Sequence, residues 1–330
     1  MRSLINRTAH AGMDAIMCAM MNTAQWRLRH HAVTCDCLED YLLECQGLDY
    51  RSYYATPEEN RSLTAPDWRR DGHLLSWRSP LPGTHLENNT VAAQLFETTL
   101  PAASHGAPTI ILLHALMSAS DYGYRRIAKR FKKQGWNVLF PHLPYHYSRT
   151  PRGYANGALT ITSDLIRNAE TLRQSVIELR QLIAWSRQRG SRRIALLATS
   201  YGAWVASLAL SLEKTDFSIL LQPVADVKHA TFGSPASHMM AGYLKRNGIH
   251  PEALDRHDHL SSPARMTPLT PPDRITIIGG KYDRLSPSES LKDLCDSWGG
   301  ARYLEVDQGH FGYDAMNCAL QESEKYMNSQ

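Results

Sequence analysis

The chain has no run of eighteen apolar residues, so no segment reads as a membrane-spanning helix. Its six cysteines stand at irregular positions with no C-x-x-C pair, which fits free thiols in a reducing cytoplasm better than a disulfide framework, and a cytoplasmic protein is expected. Charge of one sign is scarce as well. A net charge of +4 is mild, and the arginine pairs Arg69/Arg70, Arg125/Arg126 and Arg192/Arg193 are scattered, with no basic stripe interleaved with aromatics. No nucleic acid is expected as partner. Cys35 and Cys37 form only a C-x-C that, with His30, His31 and Cys45, lacks regular zinc-ligand spacing, while His257, Asp258 and His259 read as a solvated loop. No metal or cofactor is expected, and no internal repeat is evident.

What remains is ample for a globular enzyme: 330 residues at 43% hydrophobic content can bury one large core plus an appendage, or two domains at most. The most informative stretch is RRIALLATSYGAWVASLALSLEK, residues 192–214, which reads as a buried strand, a sharp turn carrying Ser200, and a helix. Ala198 and Gly202 flank Ser200 by two positions on either side, so A-T-S-Y-G is a variant of the G-x-S-x-G nucleophile elbow. Bulk at either position would collide with a neighbouring strand or helix as the chain reverses. Taken alone, the pentapeptide is a weak signal.

A serine hydroxyl needs a base and an orienting acid. Asp283 lies just past a strand-like run at 274–278, and His310 follows another at 303–306. Loops at the carboxyl ends of parallel strands are where α/β proteins place their chemistry. The chain order is Ser200, Asp283, His310, with Asp226 as a substitute acid after the preceding strand. An oxyanion hole calls for two backbone amides: Tyr201, next to the nucleophile at a helix start, and Leu116 after the apolar run 109–113, with Ala115 as the alternative.

In these motifs and their order the chain resembles the α/β-hydrolase family from near residue 74 to the C-terminus. The resemblance implies an α/β fold: a mostly parallel central sheet flanked by helices, a Ser-His-Asp triad and attack on an acyl carbon. The segment PHLPYHYSRTPRG, residues 141–153, looks like the family's segment after the next strand, with His142 where an Asp is common; followed by Arg149 and Pro151, it points to a poorly characterised branch. Ala115 and Ala198 also stand where the family usually has Gly, and a methyl at 115 narrows access to the oxyanion site.

The expected organisation is an N-terminal helical appendage at 1–65, then a hydrolase domain at 66–330. Within the domain, 72–100 reads as an antiparallel strand pair, 120–134 and 163–189 as helices, and 224–265 as a cap insertion. The expected activity is that of a serine hydrolase acting on a small-molecule carboxylic ester or thioester. Acyl transfer, amide hydrolysis and a catalytically idle binding or scaffold protein are kept as alternatives. Substrate contacts are expected from His114, Tyr122, His142, Tyr145, His146, Tyr147, Met239 and Met240, an aromatic and soft apolar lining suited to an acyl group. Residues 1–31, with several arginines and the single acid Asp14, make a poor secretory signal. They read as a helix packed on the domain, with peripheral membrane contact or organelle targeting as the alternatives.

Overall fold

The computed structural model describes residues 2–57, 67–99 and 106–328, so the expected boundary at 65/66 lies outside the described residues. Helices α1 (Arg2–Arg27), α2 (Cys35–Cys45) and α3 (Tyr50–Tyr53) come first. Strands β1 (Arg69–Asp71), β2 (Leu74–Arg78) and β3 (Thr90–Phe96) follow, then β4 (Thr109–Leu113), α4 (Tyr122–Lys133) and β5 (Asn137–His142). The second half alternates α5 (Leu165–Gln188), β6 (Ile194–Thr199), α6 (Tyr201–Ala209) and β7 (Phe217–Leu221). After the short helices α7 (His238–Arg246) and α8 (Asp258–Ser261) come β8 (Ile275–Gly280), α9 (Ser288–Ser297), β9 (Arg302–Val306) and α10 (Asp314–Asn328).

Among the described residues the strands form one nine-stranded sheet in the order β1-β2-β3-β5-β4-β6-β7-β8-β9. Pairing is parallel from β5 through β9 and antiparallel among β1, β2, β3 and β5. This is the mostly parallel α/β-hydrolase sheet that the sequence implies. β4, β6 and β7 read as continuous apolar runs because helices cover both of their faces. One face packs α4 and α10 through Phe131, Ala315 and Ala319, and the other packs α5, α6 and α9 through Val176, Val205 and Leu294.

The antiparallel pair expected at 72–100 is β2 and β3, although residue 100 lies outside the described residues. β1, entirely exposed and flanked by no apolar pattern, carries no sequence signal of its own. α5 starts at Leu165 because the Asp164 carboxylate caps it, accepting the Arg167 N–H at 3.0 Å. Residues 224–265 leave the sheet after β7 and run through a turn of π-helix, α7 and α8 before returning to it. α2, α5 and α7 share a small apolar core of Leu38, Leu42, Leu165, Met240 and Leu244, which ties the N-terminal helices to this excursion. No helix among the described residues is long and apolar enough to cross a membrane.

A buried ion pair fixes the segment after β5. Arg149, 1% exposed, donates to both Glu178 carboxylate oxygens at 2.6 and 2.9 Å and to the carbonyls of His142 and Asn88. Breaking such a pair from one side strands a charge in the core, whereas replacing both partners removes the desolvation cost as well. Glu178→Ala should therefore lower stability by about 3–5 kcal/mol. Arg149→Met combined with Glu178→Leu should lose clearly less. Urea unfolding curves compared at constant slope check both, and equal losses would show that the pair contributes only through packing.

Candidate active site

Ser200 sits between the end of β6 and the start of α6 with φ 51° and ψ −115°, a strained conformation for a residue with a side chain. The reason for Gly202 is visible from β4: a Cβ there would lie 2.5 Å from the His114 carbonyl oxygen and 2.8 Å from the Leu113 carbonyl carbon. Ala198 is fully buried on β6 between Leu113 of β4 and Leu220 of β7. The turn thus lifts the Ser200 hydroxyl over the carboxyl edge of the sheet.

Three separate loops converge there. Ser200 Oγ is 2.9 Å from His310 Nε2, and His310 Nδ1 is 2.8 Å from Asp283 Oδ2. The Asp283 carboxylate is saturated: Oδ2 also accepts from Gln222 Nε2 at 2.6 Å, while Oδ1 accepts the Leu285 and Ser286 N–H groups at 2.8 and 2.9 Å. The His310 and Asp283 side chains are 7% and 0% exposed. Burial, the largest influence, pushes the His310 imidazole down, but the charge and hydrogen bond of Asp283, with Asp14 behind them, outweigh it and leave His310 above its ordinary 6.5. Asp226, the substitute acid, is exposed and accepts the His229 N–H instead.

The amides expected to form an oxyanion hole can be compared directly. The Ala115 N–H is taken by the Tyr124 hydroxyl at 3.1 Å and the Met117 N–H by His146 Nε2 at 3.1 Å. The Leu116 N–H between them has no hydrogen-bond partner among the described residues, and neither has that of Tyr201 at the first position of α6. Both residues, with Ser200 and His310, line a cavity of about 480 Å3.

Most of the expected substrate contacts need correction. His114, His142, Tyr145, His146 and Tyr147 do not line the cavity. They are used up in holding loops together. His114 Nε2 accepts the Leu143 N–H at 3.1 Å while its Nδ1–H donates to the Ala115 carbonyl, and His146 Nδ1–H donates to the Pro144 carbonyl. His114 and His146 therefore stitch the loop after β4 to the loop after β5. Burial pushes His114 well below its ordinary value and His146 down to about 4, so both stay neutral, as rings that accept amide protons must. His142 is likewise pushed down to about 4 by burial and bonds Ser148 and Gln94. Tyr145 packs against Leu28 and Leu159, and Tyr147 against the α4 side of the sheet. Tyr122 is 67% exposed at the start of α4, and Met239 lies outside the cavity while Met240 lines it. Among the described residues no three metal-ligating side chains converge.

Two site residues escaped the sequence reading. Gln222, at φ 48°, bridges Asp283 and the Gly309 carbonyl, and nothing in a glutamine after a strand signals this. Asp14 of α1 accepts the His310 and Phe311 N–H groups; its only trace in the sequence is that it stands alone as an acid in its segment.

Two glycines test the stitched loops. Gly157 has φ 71°, and a Cβ there would press into His146 Nε2 and come within 2.9 Å of the Met117 nitrogen; Gly153 has φ 91° and open space. Gly153→Ala should cost about 1–2 kcal/mol for the left-handed backbone alone. Gly157→Ala should cost that and a steric increment, seen as a larger fall in melting temperature; equal falls would mean that the His146–Met117 junction yields freely.

With this geometry in hand, comparisons fix the relationships. The family model described as "Alpha/beta hydrolase domain containing 18" matches residues 46–246, more than half of the chain, a span that includes the loop after β4 and Ser200 but neither α1 nor Asp283 and His310. Among solved structures, the acetyl xylan esterase from Paenibacillus sp. R4 is 14% identical with a TM-score of 0.56, covering 78% of this chain and 87% of that one. The acylaminoacyl peptidase of Pyrococcus horikoshii is 14% identical with a TM-score of 0.53, covering 79% of this chain and 40% of that one. At such identities the likeness is one of fold. No curated protein sequence matches.

Proposed function

The chain belongs to the alpha/beta hydrolase domain containing 18 family, and from that premise we propose that it is a serine hydrolase cleaving a carboxylic ester or thioester. What carries this reading is the continuous chain of hydrogen bonds from Ser200 Oγ through His310 to Asp283, at 2.9 and 2.8 Å. In the proposed cycle Ser200 Oγ attacks the acyl carbon as His310 Nε2 takes its proton. The carbonyl π pair moves onto oxygen, where the Tyr201 and Leu116 amides stabilise it. Collapse breaks the bond to the leaving alcohol or thiol, which receives the proton from His310. Water then repeats the sequence on the acyl-enzyme, releasing the acid and restoring Ser200. Asp283 holds Nδ1 protonated and offsets the positive charge on the ring in the transition state.

The cavity wall supports an apolar acyl group. Leu38, Leu42, Ile161, Leu165, Trp204 and Met240 all face it, most of them drawn from α2, α5, α6 and α7. We take residues 224–265 as the cap over this wall, since Val224, Val227, Ala230 and Leu254 of that excursion line the same cavity. Each methylene of an acyl chain moved from water into such a wall gains about 0.8 kcal/mol, roughly fourfold in binding.

A fluorophosphonate probe should add once to wild-type protein and not to Ser200→Ala, read by intact mass. No adduct on folded wild type would favour the idle binding protein. For p-nitrophenyl esters, kcat/KM should rise about fourfold per added methylene from acetate upward until the cavity is filled. A flat series would remove the acyl-wall assignment. His310 must be neutral to accept the proton, so kcat/KM should climb with pH through a midpoint above 6.5 and then level off. A bell centred below that value would contradict His310 as the base.

A further inference from the structure

α1 enters the site from the far end of the chain. Its Asp14, 7% exposed, places Oδ2 3.0 Å from the His310 amide nitrogen and Oδ1 3.1 Å from that of Phe311, so both N–H groups donate to one carboxylate. Gly309 makes room for it: a Cβ there would lie 2.8 Å from Oδ1 and closer still to Oδ2. The helix is held in this register by its next turns. Asn22 donates to the Pro235 carbonyl at 2.8 Å and accepts the Met239 N–H at 2.8 Å, while Gln25 accepts the Met240 N–H at 3.4 Å.

A buried carboxylate is costly unless its charge is compensated. No lysine or arginine of the described residues forms an ion pair with Asp14; its partners are two amides of the loop that carries the histidine. The charges that act on His310 are those of Asp283 after β8 and Asp14 of α1; Arg284 and Cys18 lie beside them, and the loop itself carries Asp307 and Tyr313, with Asp314 at the start of α10. The cation formed during the proposed reaction is therefore the imidazolium of His310 itself, with one carboxylate on its ring and a second on its backbone.

We propose that Asp14 is a positioning residue of the active site: it fixes the His310 loop so that the imidazole spans Ser200 and Asp283, and its charge favours the imidazolium that forms as Ser200 attacks. The catalytic part of this rests on the serine hydrolase reading above. α1 lies outside the span that the family model matches.

The test uses the full chain with Asp14→Asn, Asp14→Ala and Gly309→Ala. Two readouts run side by side: kcat and KM for p-nitrophenyl butyrate across pH, and the His310 imidazole titration by NMR, its resonance assigned by its loss in His310→Gln. Asp14→Asn keeps one acceptor and removes the charge. It should lower kcat about tenfold with KM little changed, and move both the acid limb of kcat/KM and the His310 titration to lower pH. Asp14→Ala should lose more. If α1 variants fail to fold, Gly309→Ala displaces the carboxylate from the opposite side and should give the same two shifts. An unchanged His310 titration and kcat in folded Asp14→Asn, or a loss confined to KM, would overturn the proposal and leave α1 as cavity wall alone. Should wild type neither hydrolyse nor label, the hydrolase reading fails, and the NMR titration still decides whether Asp14 acts on His310.

Discussion

Ser200 stands at φ 51° and ψ −115°, a backbone conformation that costs a side-chain-bearing residue about 1–3 kcal/mol and is kept only where its surroundings allow nothing else. Here they do not. β6 is paired on both sides, its last residues in register with Leu113 of β4 and Leu221 of β7, and the Ser200 N–H continues that pairing to the Leu221 carbonyl at 2.8 Å. One step later the chain must already be helical, because Trp204 returns its N–H to the Ser200 carbonyl at 2.9 Å. Between these two demands lies a single residue, which takes the whole change of direction. Gly202 is then forced against β4, and any larger residue would push α6 off the sheet.

That constraint sets what the neighbouring loops have to do. A hydroxyl held rigidly above the sheet edge is useful only if the groups around it are equally fixed, and here fixing is done by polar side chains buried inside the loops. Gln222 ties Asp283 to Gly309, so the loops after β7, β8 and β9 share one amide. His114 and His146 perform the same task between the loops after β4 and β5, and they can do so only as neutral rings whose Nε2 accepts a backbone proton. Burial keeps them neutral, and the cost of leaving those amides unpaired would otherwise fall on the segment that presents the Leu116 N–H. The Arg149–Glu178 pair anchors the loop after β5, through the Arg149 bond to the His142 carbonyl.

How much of this the sequence discloses follows from the range of the forces involved. The strands and helices are legible because their apolar period is local: the run at 109–113 coincides with β4, and the helix at 163–189 is α5 shortened by the reach of the Asp164 cap. Ser200, Asp283 and His310 stand out because each follows a legible strand. His114 and the histidines of 141–147 mislead for a matching reason. A histidine in a loop looks alike whether its ring faces a ligand or a backbone amide, and the choice depends on partners, such as Leu143 for His114 and Met117 for His146, that only the folded sheet brings near. Gln222 and Asp14 are silent for the same cause, since their partners lie 61 and 296 residues away.

The N-terminal segment reads in sequence as an appendage because it precedes the first strand and lacks the strand-helix rhythm. Sequence distance is a poor guide to mechanical distance. Met13 and Met21 of α1 line the same cavity as Ser200, α2 contributes Leu38 and Leu42 to it, and Asp14 reaches the His310 loop. Paired strands fix Ser200, and hydrogen bonds from Gln222 and the Leu285 and Ser286 amides fix Asp283. The loop after β9 has less support, for among the described residues β9 is the edge strand and pairs only with β8. An edge strand leaves the loop that follows it held from one side, and the residue it carries is the one that must bridge the other two. A helix laid across that loop from outside the sheet supplies the missing side, which is why the carboxylate sits on α1 and its hydrogen bonds go to the backbone of His310 and Phe311.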